Sequence, residues 1–305
     1  MTKTLKLGTR ASPLAMAQAH LVRDALCLAH GWGEDAITIV SLTATGDQIL
    51  DRPLAEVGGK ALWTRELDQR LRGGDIDFAV HSMKDVETVR PPELTIAAML
   101  ARADVRDRLI GAASIAALVP GARVGTSSPR RTAQLKRMRP DLAIVLLRGN
   151  VGTRLGKLDQ GAADATLLAA AGLDRLGMGD KGSAIEPAQM IPAPSQGAIG
   201  IECRTNDAET RDLLAAIDDG PTRTCVLAER LWLKALGADC HSSVAALAVR
   251  DGDQIDLRAE ILMPDGSQSV CQRIRFAASQ PEHAARLAEA MLAKASPELR
   301  ALFQR

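Results

Sequence analysis

At 305 residues the chain is longer than one compact core usually holds, which predicts two or three domains. Hydrophobic residues at 46% and charged residues at 25% are the balance of a globular protein, and no stretch reaches the apolar length needed to span a bilayer. A net charge of +1 leaves no global field favouring nucleic acid or an anionic membrane, so any recognition of anions must come from local clusters. The first ten residues lack the apolar run of a signal peptide, and a cytoplasmic location is expected.

In chain order, Leu5 to Leu7 reads as a strand. Ser12-Pro13 reads as an N-cap followed by proline at the first helical position, opening a helix that Gly31 ends. Ala36 to Thr43 is a predicted strand and Ala61 to Leu71 a helix stopped by Gly73-Gly74. Phe78 to His81 is a short buried strand, and Ser82 to Glu87 leaves its C-terminal end. The alternation repeats with a strand at Arg123 to Gly125 and a helix opened by Ser128-Pro129 that runs to Met138. A strand at Ala143 to Leu147, a helix over Val151 to Gln160 and a strand at Asp164 to Leu168 follow. Strands separated by helical crossovers predict parallel pairing in α/β layers. Ile191 to Ser195 reads as a connection and Ala198 to Cys203 as one more strand. From Pro221 the character changes: an amphipathic helix to Leu236, then strands Val244–Arg250, Ile255–Met263 and Ser267–Phe276. The turns Asp251-Gly252-Asp253 and Pro264-Asp265-Gly266 make this an antiparallel sheet, and a helix over Pro281 to Lys294 covers one face.

Basic residues gather at predicted turns. Arg10, Lys84 and Arg148 fall at the C-terminal ends of strands, where open α/β sheets bind ligands. Thr126, Ser127 and Ser128 add hydroxyls and free backbone N–H groups at a helix N-terminus, which favours an anion. Arg130 and Arg131 stand in the first turn of that helix, against its dipole, and Arg154 lies in the next helix. Pairing with carboxylates or phosphates explains them; a solvated charged face is the alternative for any one of them. Asp85 beside Lys84 is either a helix cap or a counter-charge for a cationic intermediate or moving proton. Five cysteines (Cys27, Cys203, Cys225, Cys240 and Cys271) are odd in number and spread out, against a disulfide framework or a Cys-based zinc site, and no His pair has zinc-ligand spacing. No metal is expected. Cys240-His241 is a poor nucleophile pair, because adjacent residues in an extended segment point opposite ways. Gly58-Gly59-Lys60 lacks the rest of a phosphate-loop motif.

Taken together, several segments resemble the porphobilinogen deaminase family. They are Thr9 to Ala15, Val57-Gly58-Gly59-Lys60, His81-Ser82-Met83-Lys84-Asp85, Gly125 to Arg131, Leu147 to Arg154, Gln196 to Glu202 and the Asp265-Gly266 turn, and together they span nearly the whole chain. The resemblance implies a transferase of tetrapyrrole (heme) biosynthesis. Four porphobilinogen molecules condense with loss of ammonia on a cysteine-linked dipyrromethane primer, and the linear product, hydroxymethylbilane, is released by hydrolysis. It implies an α/β fold with two periplasmic-binding-protein-like lobes around a cleft, plus a small C-terminal α+β domain. The domains would be residues 1–99 with 196–217, residues 100–195, and residues 218–305. By motif position Cys240 would carry the dipyrromethane, with Asp239 a negative neighbour, and Asp85 would be the catalytic carboxylate. Ser82, Lys84, Thr126, Ser127, Ser128, Arg130, Arg131 and Arg148 would hold the cofactor. Arg10, Ser12, Arg148, Arg154, Arg175 and Gln196 would hold the acetate and propionate groups of substrate. The partner would be the small-molecule substrate alone, with no nucleic acid and no membrane, on a monomer.

Overall fold

A computed structural model of the chain describes residues 4–43, 64–239 and 241–303. Its contacts form two compact units. The first holds Gly197–Arg223 with the described residues up to Ala103; the second holds Asp104–Gln196 with the described residues from Thr224 onward.

In the first unit, β1 (Leu5–Arg10), β2 (Ile37–Leu42), β3 (Phe78–Ser82), β4 (Leu94–Met99) and a later strand, Ile199–Arg204, form a five-stranded sheet. That later strand, β10, lies between β3 and β4, so the order is β2-β1-β3-β10-β4. Helix α1 (Pro13–His30) starts as predicted. Ser12 caps it by accepting the Ala15 N–H, Pro13 takes the first turn, and Gly31 ends it in the left-handed region at φ 67°. Its buried residues Ala15, Gln18, Ala19, Val22 and Leu26 form one stripe against Leu7, Phe78, Val80 and Ile201 of the sheet. The opposite face is covered by Leu67 and Leu71 of α2 (Arg65–Gly73), packed on Ile76, Ala79 and Leu94. With both faces covered, β3 is buried along almost its whole length, which is why it reads as a continuous apolar run rather than an alternation.

The second unit contains two sheets. One has the order β7-β6-β8-β5-β9, from β5 (Asp107–Ile110), β6 (Arg123–Gly125), β7 (Ala143–Val145), β8 (Ala165–Ala169) and β9 (Ser183–Ile185). Around it lie α3 (Pro129–Met138), α4 (Val151–Asp159) and α5 (Ala170–Arg175). The other is the antiparallel meander of β11 (Val244–Asp251), β12 (Gln254–Leu262) and β13 (Ser269–Ala277). It packs on Trp232 and Leu236 of α7 (Gly220–Leu236) and on Leu287 and Met291 of α8 (Glu282–Lys294). Gly252 (φ 59°) and Gly266 (φ 74°) turn its two hairpins. At Gly266 a side chain is also excluded by space: an added Cβ would lie 2.4 Å from Arg137 N, so this hairpin tip rests its backbone on α3. Gln134 of α3 donates to Glu260 of β12 at 3.0 Å, fixing the same helix from the side.

All-parallel pairing is corrected by the structure. β10 runs antiparallel to β3 and β4, and β5 antiparallel to β8 and β9, so both five-stranded sheets are mixed. The sequence reading also missed β4, β5, β9, α5 and α6 (Ala208–Ala215); the three strands pair with segments far away in sequence, and the two helices are short, of six and eight residues. The predicted Ala61 start of the second helix falls outside the described residues, as do Val57 to Lys60. The fold is α/β with two mixed sheets and a C-terminal antiparallel sheet backed by helices.

Candidate active site

In the first unit the C-terminal ends of β1 and β3 deliver Arg10 and Ser82 to one pocket, lined also by Ser12, Gln18, Thr64, His81 and Asp85. Its wall is set by side-chain pairing: Gln18 Nε2 donates to Ser82 Oγ at 2.8 Å, and that hydroxyl donates to Gln18 Oε1 at 3.2 Å. Beyond Ser82 the chain makes one 3-10 turn, Met83–Asp85, that carries Lys84 and Asp85. The turn is pinned by Met83 N–H donating to Ala198 O at 3.1 Å and by the Met83 side chain, which is buried against Gly200. A Cβ at Gly200 would come within 2.1 Å of Met83 Sδ, so any larger residue would force the buried Met83 side chain to move. The structure therefore brings Arg10, Ser12, Ser82 and Asp85 together on one pocket, with Lys84 next along the turn.

In the second unit β6 ends at Gly125 and leads into Thr126, whose Oγ1 accepts the Ser128 N–H at 3.1 Å. Ser128 caps α3 by accepting the Arg131 N–H at 3.4 Å. Arg148 follows β7 and is buried; Gly149 then takes φ 122° and Asn150 caps α4 by accepting the Thr153 N–H at 2.9 Å. Arg154 Nε donates back to Gly149 O at 2.9 Å, closing the Arg148 to Arg154 segment on itself. Arg175 ends α5; its burial pushes the guanidinium down to about 10, only partly offset by Asp174.

Arg130 and Arg131 are only 3% and 6% exposed, and the carboxylate that explains their place against the helix dipole is the protein's own. Asp107, at the start of β5, accepts from Arg130 Nη2 and Arg131 Nη2, each at 2.7 Å. The two guanidiniums hold the Asp107 carboxyl far below the usual carboxylate range against a burial that would raise it. Gln196 is drawn into the same cluster, its Nε2 donating to Asp107 Oδ1 at 3.0 Å and to Val105 O at 2.8 Å. Arg130 also reaches Ile191 O and Gln134 Oε1, and Arg131 reaches Leu167 O. The sequence reading missed Asp107, because no local motif marks a carboxylate 23 residues upstream of its partner.

Cys240 lies outside the described residues. Beside it, Asp239 Oδ1 accepts the His241 N–H at 2.9 Å and lies 3.3 Å from Ser242 Oγ. Of the other cysteines, Cys203 and Cys225 are buried, and burial pushes the Cys203 thiol up to about 11, far from a reactive thiolate.

The donors on the second unit fit a group that carries carboxylates. The buried Nε–H of Arg130 has no acceptor among the described residues, and Arg175 adds a second, largely buried guanidinium. Hydroxyls and N–H groups at the start of α3 add neutral donors.

Comparison with known proteins gives the same reading. Residues 5–212 match the family model described as porphobilinogen deaminase, dipyromethane cofactor binding domain. Residues 223–295 match its C-terminal domain. A porphobilinogen deaminase of Sphingopyxis alaskensis is 57% identical over 98% of this chain and 96% of its own length. One from Paracoccus denitrificans is 50% identical over 95% of this chain and 94% of its own. Among solved structures, a substrate binding domain of a putative amino acid ABC transporter from Streptococcus pneumoniae overlays with a TM-score of 0.42 at 14% identity, covering 77% of this chain and 95% of that one. No helix among the described residues is long and apolar enough to cross a membrane. On the family match and the two near-full-length relatives, the chain belongs to the porphobilinogen deaminase family.

Proposed function

We propose that Asp85 carries the chemistry of this hydroxymethylbilane synthase. The reading rests on one observation: Asp85 lines a pocket that also takes the cation Arg10 from the end of β1. Porphobilinogen brings two carboxylates and an aminomethyl group. When the carbon–nitrogen bond breaks and ammonia leaves, the remaining carbon is cationic, and a fixed anion beside the pyrrole stabilises it. Arg10 and Ser12 orient the substrate's acetate and propionate groups, and the Gln18–Ser82 pair holds the wall in shape. Asp85 would also take, or pass on, the proton that carbon–carbon bond formation releases.

The covalent dipyrromethane supplies the acceptor pyrrole carbon. Cys240 would anchor it, and Lys84, Ser82, Thr126, Ser127, Ser128, Arg130, Arg131 and Arg148 would hold it. Arg154, Arg175 and Gln196 would meet substrate carboxylates as the product grows. An anchored acceptor makes each condensation effectively intramolecular. We further propose the three-domain division of residues 1–99 with 196–217, 100–195, and 218–305, each of which holds one of the three sheets. A monomer working in the cytoplasm on a small molecule, without nucleic acid or membrane, completes the reading.

Asp85→Asn tests it. The amide is isosteric but uncharged, so turnover falls by at least about 100-fold while the protein still carries its cofactor mass. Turnover within a few-fold of wild type would remove Asp85 from the chemistry.

A further inference from the structure

A buried ionic cluster lies on the same unit as Asp85 and has no part in the scheme above. At its centre is Arg90, five residues beyond Asp85 on the segment that leaves the catalytic turn. Its guanidinium uses all five N–H donors. Nε and Nη2 form a fork on Glu202 of β10, both at 2.8 Å, and Nη2 also donates to Asp68 of α2 at 2.5 Å. Nη1 donates to Glu87 and, at 3.2 Å, to Thr64 Oγ1. Thr64 Oγ1 lies 3.0 Å from both Glu87 oxygens, and His81 Nε2 stands 3.2 Å from Glu202 Oε2.

The connectivity matters more than the charge count. On its N-terminal side the Asp85 turn is fixed by the β3–β10 ladder, where Ser82 pairs with Ile199 and His81 with Gly200. On its C-terminal side Glu87 and Arg90 are tied to β10, α2 and Thr64 by the bonds just given. Glu87 is only two residues from Asp85, so the turn is held at both ends. Thr64 and His81 belong at once to the cluster and to the pocket wall. A surface segment could be held by far less: one exposed ion pair contributes little. A bidentate fork with a full set of partners fixes position as well as charge.

We propose that Arg90 is a positioning residue, acting through Glu87 and Glu202 to hold the Asp85 turn in catalytic register. The proposal rests on the reading of Asp85 as the catalytic carboxylate.

The test compares Arg90→Leu, Glu87→Ala, Glu87→Gln and Asp85→Asn as full-length holoenzymes, with cofactor loading checked by intact mass. Thermal midpoint, kcat and KM for porphobilinogen are measured well below the transition. Displacing a reacting group by about an ångström costs on the order of 100-fold. Arg90→Leu should therefore lower kcat by about 10- to 100-fold and change KM less than about threefold. If Arg90→Leu, which removes the partner of a buried carboxylate, fails to fold, Glu87→Ala carries the test. Glu87 is partly exposed, and its loss cuts the tether while leaving the Arg90–Glu202 fork intact. It should lower kcat by about tenfold, and Glu87→Gln, which keeps an acceptor for Arg90, should restore kcat to within about threefold of wild type. A lowered midpoint with unchanged kcat in both Arg90→Leu and Glu87→Ala overturns the proposal and leaves the cluster a scaffold only. An active Asp85→Asn instead overturns the reading beneath it.

Discussion

Asp107→Asn probes how the second unit tolerates two buried arginines side by side. In the wild type, Asp107 accepts from Arg130, Arg131 and Gln196 within 3.0 Å while only 2% exposed. The asparagine keeps the shape but removes the negative charge that, among the described residues, is bonded to both guanidiniums, and it turns an NH2 group toward a donor. Removing one partner of a buried ion pair costs about 3–5 kcal/mol, since the remaining charge stays buried and uncompensated. At roughly 2–4 °C per kcal/mol, the thermal midpoint falls by about 6–20 °C. The assay is thermal and urea denaturation of the holoenzyme, with the double variant Asp107→Asn, Arg130→Met alongside. If uncompensated cations cause the loss, removing one of them makes the double variant more stable than the sum of the single effects. A midpoint within about 2 °C of wild type for Asp107→Asn would refute the argument. It would mean that solvent or ligand, not Asp107, neutralises the pair.

Two further outcomes follow from the first unit. Gly200→Ala drives a Cβ to 2.1 Å from Met83 Sδ, so it costs about 1–3 kcal/mol and shifts the turn bearing Asp85. Denaturation and kcat both register the change, and adding Met83→Ala restores part of each. Glu202 gives a pH dependence. Burial would raise its carboxyl, but His81 and Arg90 bring it down to about 2, well below the ordinary glutamate value. Its stabilisation, on the order of 3 kcal/mol, is therefore present above about pH 4.5 and lost as pH falls toward 2. Asp68, whose carboxyl burial raises, acts in the opposite sense and blunts the effect. The stability gap between wild type and Glu202→Gln in urea should stay level from pH 7 to about pH 5 and narrow from there to pH 3; a gap that stays constant down to pH 3 would contradict the assignment.

What could be read in advance followed from local chemistry. Ser12-Pro13 and Gly31 bound α1, Ser128-Pro129 opens α3, and Gly252 and Gly266 turn the two hairpins, because capping and positive φ are decided by a few neighbouring residues. Strand direction was not legible: β10 enters its sheet after an excursion of about 100 residues, and no short window records that it returns antiparallel to β3. The positions of Arg10, Lys84, Asp85 and Arg148 at strand ends were legible because sheets place ligands there. The ionic clusters were not. Arg90 meets Glu202 across 112 residues and Arg130 meets Asp107 across 23, and an arginine that finds an internal carboxylate looks the same in sequence as one that waits for a ligand.

Whether Cys240 holds a covalent pyrrole primer decides how the enzyme builds its product. It is tested most directly by the intact mass of the denatured protein, purified beside a Cys240→Ser variant. The wild type should carry an added mass equal to two linked pyrrole units, and the variant none. An adduct persisting on the variant would move the anchor to another residue. A wild-type chain that stays unmodified and inactive after incubation with porphobilinogen would rule out the primer and the condensation built on it.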